Sequence, residues 1–505
     1  MKTLKESVLM RWLMLVLISG LTFATYWAQD FMGGLKGLLM NDYGFSSSDF
    51  GQVVGMTTWA NMIGMIIVGG IMLDKWGIRI AGLVFGGLAA LGSTVVYLAS
   101  TGLFGDDPSV KLWAMGIGRM MFGSGLEVVC VVATRTIVKW FKGYEMALAM
   151  AINVGFGRLG TAMGIAVSPD IAGSSGVATS IGFAASLLGL ALIMFVVYLY
   201  FDVRFDKQQK AVNEKTEEEF KFSYLLKLLQ NKPFIYITLL CVSFYAAYFP
   251  FIQYASDLLT NKFGFTSEID IPPTKTAMIY IVLFAFVICF SVIPANLKNK
   301  TSKLTVQFVV VAGFIAFIYS FRDLFAIWLN NGQKTTSLIP LGTIVFTPIF
   351  GNFIDRRGKA ASLMILGSLL LIFSHLVLSL SDNIIMAYIG LFTLGISFSL
   401  IPAAMWPSVA KIVPENRLGT AYSSIFTVQN WGLGLFYWGI GSLLDKVNAD
   451  RLDAEGKLLE GQVYDYTVPV LVLVLCGVVS IFLSLKLKQA DKKAGYGLEE
   501  PNIKE

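Results

Sequence analysis

Apolar stretches about twenty residues long recur from one end of this 505-residue chain to the other, and no other feature restricts its fold as much. A helix rises 1.5 Å per residue, so ~20 residues cross the ~30 Å hydrocarbon core of a bilayer. Stretches of this kind lie at 9–30, 50–73, 80–100, 111–135, 144–168, 178–202, 233–260, 276–295, 304–329, 335–353, 360–380, 384–410, 417–443 and 467–488. They amount to about fourteen spans. Backbone groups in lipid must satisfy one another within the segment, so spans of this length are helices. The expected fold class is an all-α membrane protein.

The chain is 55% hydrophobic and 14% charged, whereas soluble domains carry ~25% charged residues. Its net charge of +6 is no nucleic-acid signal, because the lysines and arginines sit in short loops between apolar runs. With the N-terminus in the cytoplasm and alternating spans, the inside segments hold roughly 28 Lys/Arg and the outside ones roughly 8, which predicts both termini inside. The first apolar stretch is too long for a signal-peptide core and lacks a small-residue cleavage site, so it reads as a retained helix. Cys130, Cys241, Cys289 and Cys476 lie in apolar stretches without metal-ligand spacing and read as small core hydrophobes. The single histidine, His375, reads as a packed core residue. No metal or cofactor is expected.

The longest cytoplasmic connection, 203–232, holds Lys207, Lys210, Lys215, Glu217, Glu218, Glu219 and Lys221. A mixed charge run of this kind is a solvated linker or surface helix. It divides the chain into 1–202 and 233–488, followed by a tail at 489–505. The halves echo each other. Gly70-Ile-Met-Leu-Asp74-Lys75-Trp-Gly77-Ile-Arg79 follows the second span, and Gly351-Asn-Phe-Ile-Asp355-Arg356-Arg357-Gly358-Lys359 occupies the matching turn of the second half. Glycine lets helix ends approach closely, the carboxylate can meet a helix end or an arginine, and the basic residues anchor at lipid headgroups. Asp74, Arg79, Asp355 and Arg356 are thus candidate gating residues; a plain anchored turn is the alternative.

The doubled aspartate turn and Arg119-x-x-x-Gly123-x-Gly125 in the fourth span resemble signatures of the major facilitator superfamily. Gly118 to Glu127, Lys139-Trp-Phe-Lys-Gly143, Gly157-Arg-Leu-Gly160, Tyr248-Phe-Pro-Phe251, Lys262-Phe-Gly-Phe265 and Ala404 through Asn430 resemble, within that superfamily, the lysosomal dipeptide carriers and their bacterial relatives. The resemblance implies two six-helix bundles around a central cavity that opens alternately to each side, and dipeptide transport by facilitated diffusion. One departure stands out. About seventy residues separate Phe265 from Leu338, with two extra apolar runs (about 276–329) joined by Lys298, Lys300 and Lys303. They are expected to form an inserted two-helix hairpin between the seventh and eighth core helices. It serves as an interface, as a substitute for a partner subunit, or as a lipid-facing ornament.

Ionisable groups within spans are costly, which makes them functional candidates. Glu127 and Arg158 fall at similar depth on antiparallel neighbours. They can clamp the ammonium and carboxylate of a zwitterionic dipeptide, or form a permanent ion pair. Arg119, two turns before Glu127, tunes it, contacts substrate, or bonds backbone carbonyls. Asp30 sits at the outer mouth or reaches the amine. Asp257 lies near the outer end of the seventh span, and Arg322 and Asp323 near that of the insertion. Tyr245, Tyr248, Trp406, Gln429 and Asn430 are candidate cavity liners, with packing as the alternative. Pro407 removes a backbone hydrogen bond beside Trp406 and marks a tilting point. Uniport is favoured and proton symport stays open.

The competing expectation is a carrier of the same fold for amino acids or organic anions. A membrane enzyme or receptor is disfavoured: there is no HExxH, no P-loop, no Cys/His cluster and no Ser-His-Asp set. Without an acidic dileucine signal in its N-terminal tail, and with its one Asn-x-Thr sequon, Asn299-Lys-Thr301, predicted cytoplasmic, a plasma or bacterial inner membrane is expected. The protein is expected to act as a monomer, with a small peptide and the bilayer as its partners.

Overall fold

The computed structural model describes residues 4–208, 228–267, 272–297, 299–414, 417–453, 456 and 458–502. Lys210, Lys215, Glu217 to Glu219, Lys221, Lys298 and Glu415, all used in the sequence reading, lie outside the described residues.

The first half comprises α1 (Val8–Asp30), α2 (Lys36–Tyr43), α3 (Ser47–Gly55), α4 (Trp59–Met62), α5 (Met65–Ser100), α6 (Pro108–Phe141), α7 (Met146–Ala172) and α8 (Val177–Gln208). The second comprises α9 (Lys232–Phe263), α10 (Pro273–Asn296), α11 (Lys300–Ser320), α12 (Arg322–Leu329), α13 (Gly332–Arg357), α14 (Ala360–Leu380), α15 (Ile384–Ile412), α16 (Leu418–Val447) and α17 (Thr467–Ala494). Among the described residues, extended pairing is limited to isolated bridges such as Thr266 with Asn331.

Twelve helices among the described residues are long and apolar enough to cross a bilayer. Two further features account for the about fourteen spans expected. Gly77, at φ 73 and ψ 173, breaks α5 into the last turns of one span and the whole of the next; only glycine adopts that backbone without strain. The 30-residue α16 has the length, but Ser424, Gln429 and Asn430 lower its hydropathy, and all three are buried inside the protein. The second span is not the continuous helix that 50–73 suggested. It runs through α3, a 3-10 turn at Met56–Thr58 and α4, and Gly64 at φ 92 joins it to α5.

Local chemistry sets the ends. Asp107, Asn231, Asn299, Asn331 and Asn383 each accept an amide hydrogen bond as N-cap of a long helix, and Ser46 and Asp49 form a capping box on α3. Gly44, Gly264 and Gly495 close helices in the left-handed conformation.

Small residues let the helices approach. A Cβ on Gly160 would strike the Phe23 carbonyl, and one on Gly157 would stand 3.0 Å from the Tyr26 ring, so α7 crosses α1 at close range. Gly123 and Gly125 lie equally tightly against Thr57 and Phe85, seating α6 on α3 to α5. The motif glycines of the fourth and fifth spans are therefore packing surfaces.

The inserted pair forms the expected hairpin, α10 against α11. It is not a detached ornament. Phe284 of α10 meets Phe156 of α7 edge-on at 5.2 Å, and Tyr280 packs on Trp328 of α12 and bonds Ser337 of α13. The hairpin thus spans the seam between α7 of the first half and α13 of the second.

The two halves are tied together at one end. At the end away from the start of α1 and the end of α17, here the far end, Asp445 accepts the backbone N–H of Ser47 at 3.0 Å and of Ser48 at 2.7 Å. A carboxylate at a helix N-terminus satisfies orphan amides and the dipole together. Tyr254 donates to the Ser47 carbonyl at 3.4 Å, Lys36 pairs with Asp257 at 2.8 Å, and Lys334 with Asp170 at 2.6 Å. At the opposite end, hydrogen bonds and ion pairs between described residues join elements of the same half.

Candidate functional site

Midway along the bundle, Glu127 of α6 and Arg158 of α7 are both half-buried and both face the second half. The Arg158 guanidinium lies 4.7 Å above the Phe398 ring of α15, and Asn430 of α16 stands beside the Glu127 carboxylate. Among the described residues no ion pair joins Glu127 to Arg158. The Tyr26 hydroxyl of α1 stands in the field of both, 4.0 Å from the Cys130 sulfur one turn beyond Glu127. An acid and a guanidinium on neighbouring helices thus form no ion pair with each other among the described residues, and a hydroxyl lies near both.

The opposite wall is aromatic. Tyr248 stacks on Phe398 with centroids 3.6 Å apart, and Tyr245 stacks on Phe249 at 5.3 Å. Trp406 donates from Nε1 to the Tyr245 hydroxyl at 3.2 Å and lies 5.0 Å from Phe426. The Tyr422 hydroxyl donates to the Trp406 carbonyl at 3.2 Å, at the turn where Pro407 leaves a carbonyl of α15 without its N–H partner. Gln429 accepts from Cys241 at 3.2 Å, and the Asn430 amide donates to the Phe426 carbonyl at 2.8 Å. Arg158, Tyr245, Tyr248 and Trp406 are thus linked through Phe398 and Tyr245 in one set of contacts across the seam, with Asn430 beside Glu127 and Gln429 within α16.

Two other candidates stand apart. Arg119 is 2% exposed and spends its guanidinium on the carbonyls of Ala28 at 2.6 Å and Gln29 at 2.9 Å, which close the last turn of α1. Asp30, also 2% exposed, accepts from Thr161 of α7 at 2.6 Å and from Gln253 of α9 at 3.1 Å, bridging the halves beyond the site toward the far end.

The doubled turn behaves differently in each half. Asp74 accepts from Arg135 of α6 at 2.6 Å, and Arg79 donates to Asp202 of α8 at 2.6 Å and also binds Asp206. Asp202 further accepts from Lys139, Trp140 and Tyr198. In the second half Asp355 accepts from Asn502 at 2.7 Å, and Arg356 is exposed. There the residues after α17 fold back on the turn. The Glu499 carboxylate caps α14 through the N–H and hydroxyl of Ser362 at 2.8 and 2.6 Å, with Lys488 3.4 Å away. These partners hold the Glu499 carboxyl below its ordinary range.

His375 is fully buried, its Nδ1 2.9 Å from the Leu371 carbonyl and its ring edge-on to Phe251 at 5.1 Å. Arg322 and Asp323 are exposed, 3.7 Å apart. Among the described residues no cluster of His, Cys, Asp and Glu is arranged to hold a metal.

The sequence reading did not single out Tyr26, Phe398 or Phe426, took Cys130 only as a core hydrophobe, and placed Asp257 near the outer end of its span without its partner Lys36; the pair of Lys334 with Asp170 it did not see. Asp170, Lys334 and Lys36 escaped because the expected spans stopped at 168, 335 and 30, whereas helix continues to Ala172, begins at Gly332 and resumes at Lys36.

Comparison with known proteins agrees with this architecture. Residues 15–332 and 334–496 match the Major Facilitator Superfamily. The chain is 25% identical over 450 residues to the lysosomal dipeptide transporter MFSD1 of Danio rerio, covering 87% of this chain and 81% of that protein. It is 24% identical over 447 residues to the Homo sapiens protein of that name, covering 86% and 80%. In fold it resembles the D-xylose-proton symporter (TM-score 0.59, 12% identity, 95% of this chain and 97% of that one). It likewise resembles a bacterial homolog of the human lysosomal transporter Spinster (TM-score 0.58, 11% identity, 95% and 96%). With its all-helical membrane architecture and a family match along nearly its whole length, the chain belongs to the Major Facilitator Superfamily of transporters.

Proposed function

We propose that this protein carries small peptides, dipeptides first, across its membrane by alternating access, with Glu127 and Arg158 as the poles that hold the substrate. One observation carries the reading: an acid and a guanidinium on adjacent helices of one half face an aromatic and amide wall of the other without neutralising each other. A dipeptide presents an ammonium and a carboxylate several ångströms apart. Glu127 takes the first and Arg158 the second, the latter through a bidentate contact. Tyr245, Tyr248 and Trp406 accept varied side chains through their ring faces, and Asn430 and Tyr26 bond the peptide group. The relatives named as dipeptide transporters support this substrate class.

In this reading residues 1–202 and 233–488 rock about the central site. Among the described residues the ion pairs that join the halves lie at the far end, which supports a state that opens toward the end bearing the basic loops, the end the positive-inside rule puts in the cytoplasm. Pro407 softens α15 beside the aromatic wall, and Asp74 with Arg135 and Arg79 with Asp202 brace the cytoplasmic end of the first half. The cycle is uniport, in a plasma or bacterial inner membrane.

The test is a thermal-shift screen of dipeptides against free amino acids, on purified wild type and Glu127→Gln. Dipeptides are expected to stabilise the wild type and to do so less in the variant. Stabilisation by free amino acids or organic anions alone would replace the substrate class and keep the fold.

A further inference from the structure

At the far end the halves do not meet flush. They leave a partly open cavity of about 690 Å³ between α2 and α7 of the first half and α9 and α13 of the second, with Pro272 and Pro273 at the start of the inserted hairpin also lining it. That is the size of a small-molecule pocket, which ranges from ~300 to 1,000 Å³. Lys36, Asp170, Ser256, Asp257 and Gln333 line it. A cation–carboxylate pair stands on each flank: Lys36 with Asp257 at 2.8 Å, and Asp170 with Lys334 at 2.6 Å.

Two residues of this wall carry a side-chain oxygen that is sealed in the packing and has no partner among the described residues: Gln333 and Ser256, the latter through its hydroxyl. Both residues are sequestered, Gln333 at 9% and Ser256 at 2% exposure. Leaving a buried acceptor and a buried donor unpaired is costly, and nothing in the closure of the far end or in the central site uses them. One is an acceptor and the other can donate. Together with the flanking charges they match a ligand with a positive donor group and a negative acceptor group.

We infer that this cavity is a second, peripheral solute site for a small zwitterion, a station between the outer medium and the central site. The inference rests on the proposed dipeptide reading and extends it. The ligand ammonium faces Asp170 or Asp257 and its carboxylate faces Lys36; rotation of the Gln333 and Ser256 side chains, whose oxygens are sealed in the packing, brings the Gln333 oxygen to the ammonium and the Ser256 hydroxyl to the carboxylate. Because Lys36 and Asp257 lie on opposite halves, a ligand offering each an alternative partner weakens the tie that closes the far end. Filling the site then loosens the gate in front of it.

The experiment is calorimetric titration of the purified protein with alanyl-alanine. Four proteins are compared: wild type, Glu127→Gln, Ser256→Ala/Gln333→Leu, and all three substitutions combined. The outer substitutions remove unpaired polar atoms and leave every described hydrogen bond and ion pair of the flanks in place, so the fold tolerates them; an unchanged melting temperature checks this. The expected result is two classes of site in wild type. Glu127→Gln keeps the peripheral class, which weakens at least about tenfold once Ser256 and Gln333 are replaced, because each removed hydrogen bond to a charged ligand group is worth roughly a decade of affinity. Binding in wild type that vanishes entirely in Glu127→Gln overturns the peripheral site and leaves the proposed function standing. A peripheral class unchanged by the outer substitutions also overturns it. Absence of any binding to wild type overturns the dipeptide reading and this inference with it.

Discussion

Neutralising one member of the Asp170–Lys334 pair should unlock the far end, and neutralising both should not. The Lys334 side chain is 1% exposed and that of Asp170 0%. Lys334 donates to Asp170 at 2.6 Å and to the Ala166 carbonyl at 3.0 Å, and Asp170 also accepts from Thr276 of the inserted hairpin at 2.7 Å. Asp170→Asn keeps the shape and leaves a buried ammonium facing an amide. Stranding one charge of a buried pair costs about 3–5 kcal/mol. The stranded lysine reaches water if α13 leaves α7, so the cost falls on the closed state. At about 1.4 kcal/mol per decade, even 3 kcal/mol moves the open-to-closed ratio roughly a hundredfold. Asp170→Leu with Lys334→Met leaves no charge to strand and forfeits about 1 kcal/mol at Thr276, so it should stay closed. Nitroxides at Leu103 and Ile385, exposed far-end positions on opposite halves, in a background with the native cysteines replaced, report the distance by pulsed spin resonance. Either single variant should lengthen it and the double variant should resemble wild type. A double variant as open as the singles would refute the argument, since stranded charge would then not be the cause.

Three further outcomes follow from other contacts. Asp202→Asn weakens a fully buried carboxylate held by Arg79, Lys139, Trp140 and Tyr198; a loss of about 3 kcal/mol or more should appear as a marked fall in melting temperature, and an unchanged melt would show that the cluster contributes no stability. Gly160→Val puts a branched side chain against the Phe23 carbonyl; overpacking of about 1–3 kcal/mol should lower the melting temperature and the yield of folded protein, more than Gly439→Val, where a Cβ meets nothing. Glu499 has a lowered pKa in the folded protein, so its contribution is complete above the unfolded value of ~4.3 and is lost as pH falls through the folded one. Proteolysis of the segment after Ala494 should therefore accelerate only on the acid side of that window, and Glu499→Gln should abolish the change.

The span pattern, the doubled aspartate turn and the inserted pair were legible in the sequence because each depends on local chemistry. Twenty apolar residues must form a helix in lipid wherever they pack, and Gly77 marks a break by its own backbone freedom. Glu127 and Arg158 were legible for a related reason: ionisable groups deep in apolar runs are too costly to be incidental. Only the tertiary structure decided how charges are partnered. Arg119 and Arg158 look alike in sequence, yet Arg119 is consumed by the Ala28 and Gln29 carbonyls while Arg158 lies over Phe398 across the seam. Asp170 and Lys334, 164 residues apart, fell just outside the expected spans, and nothing local marks them as a pair. Helix identity is set by interactions within a few residues of chain. The role of a buried charge is set by whichever partner the packing of distant helices brings within 3 Å.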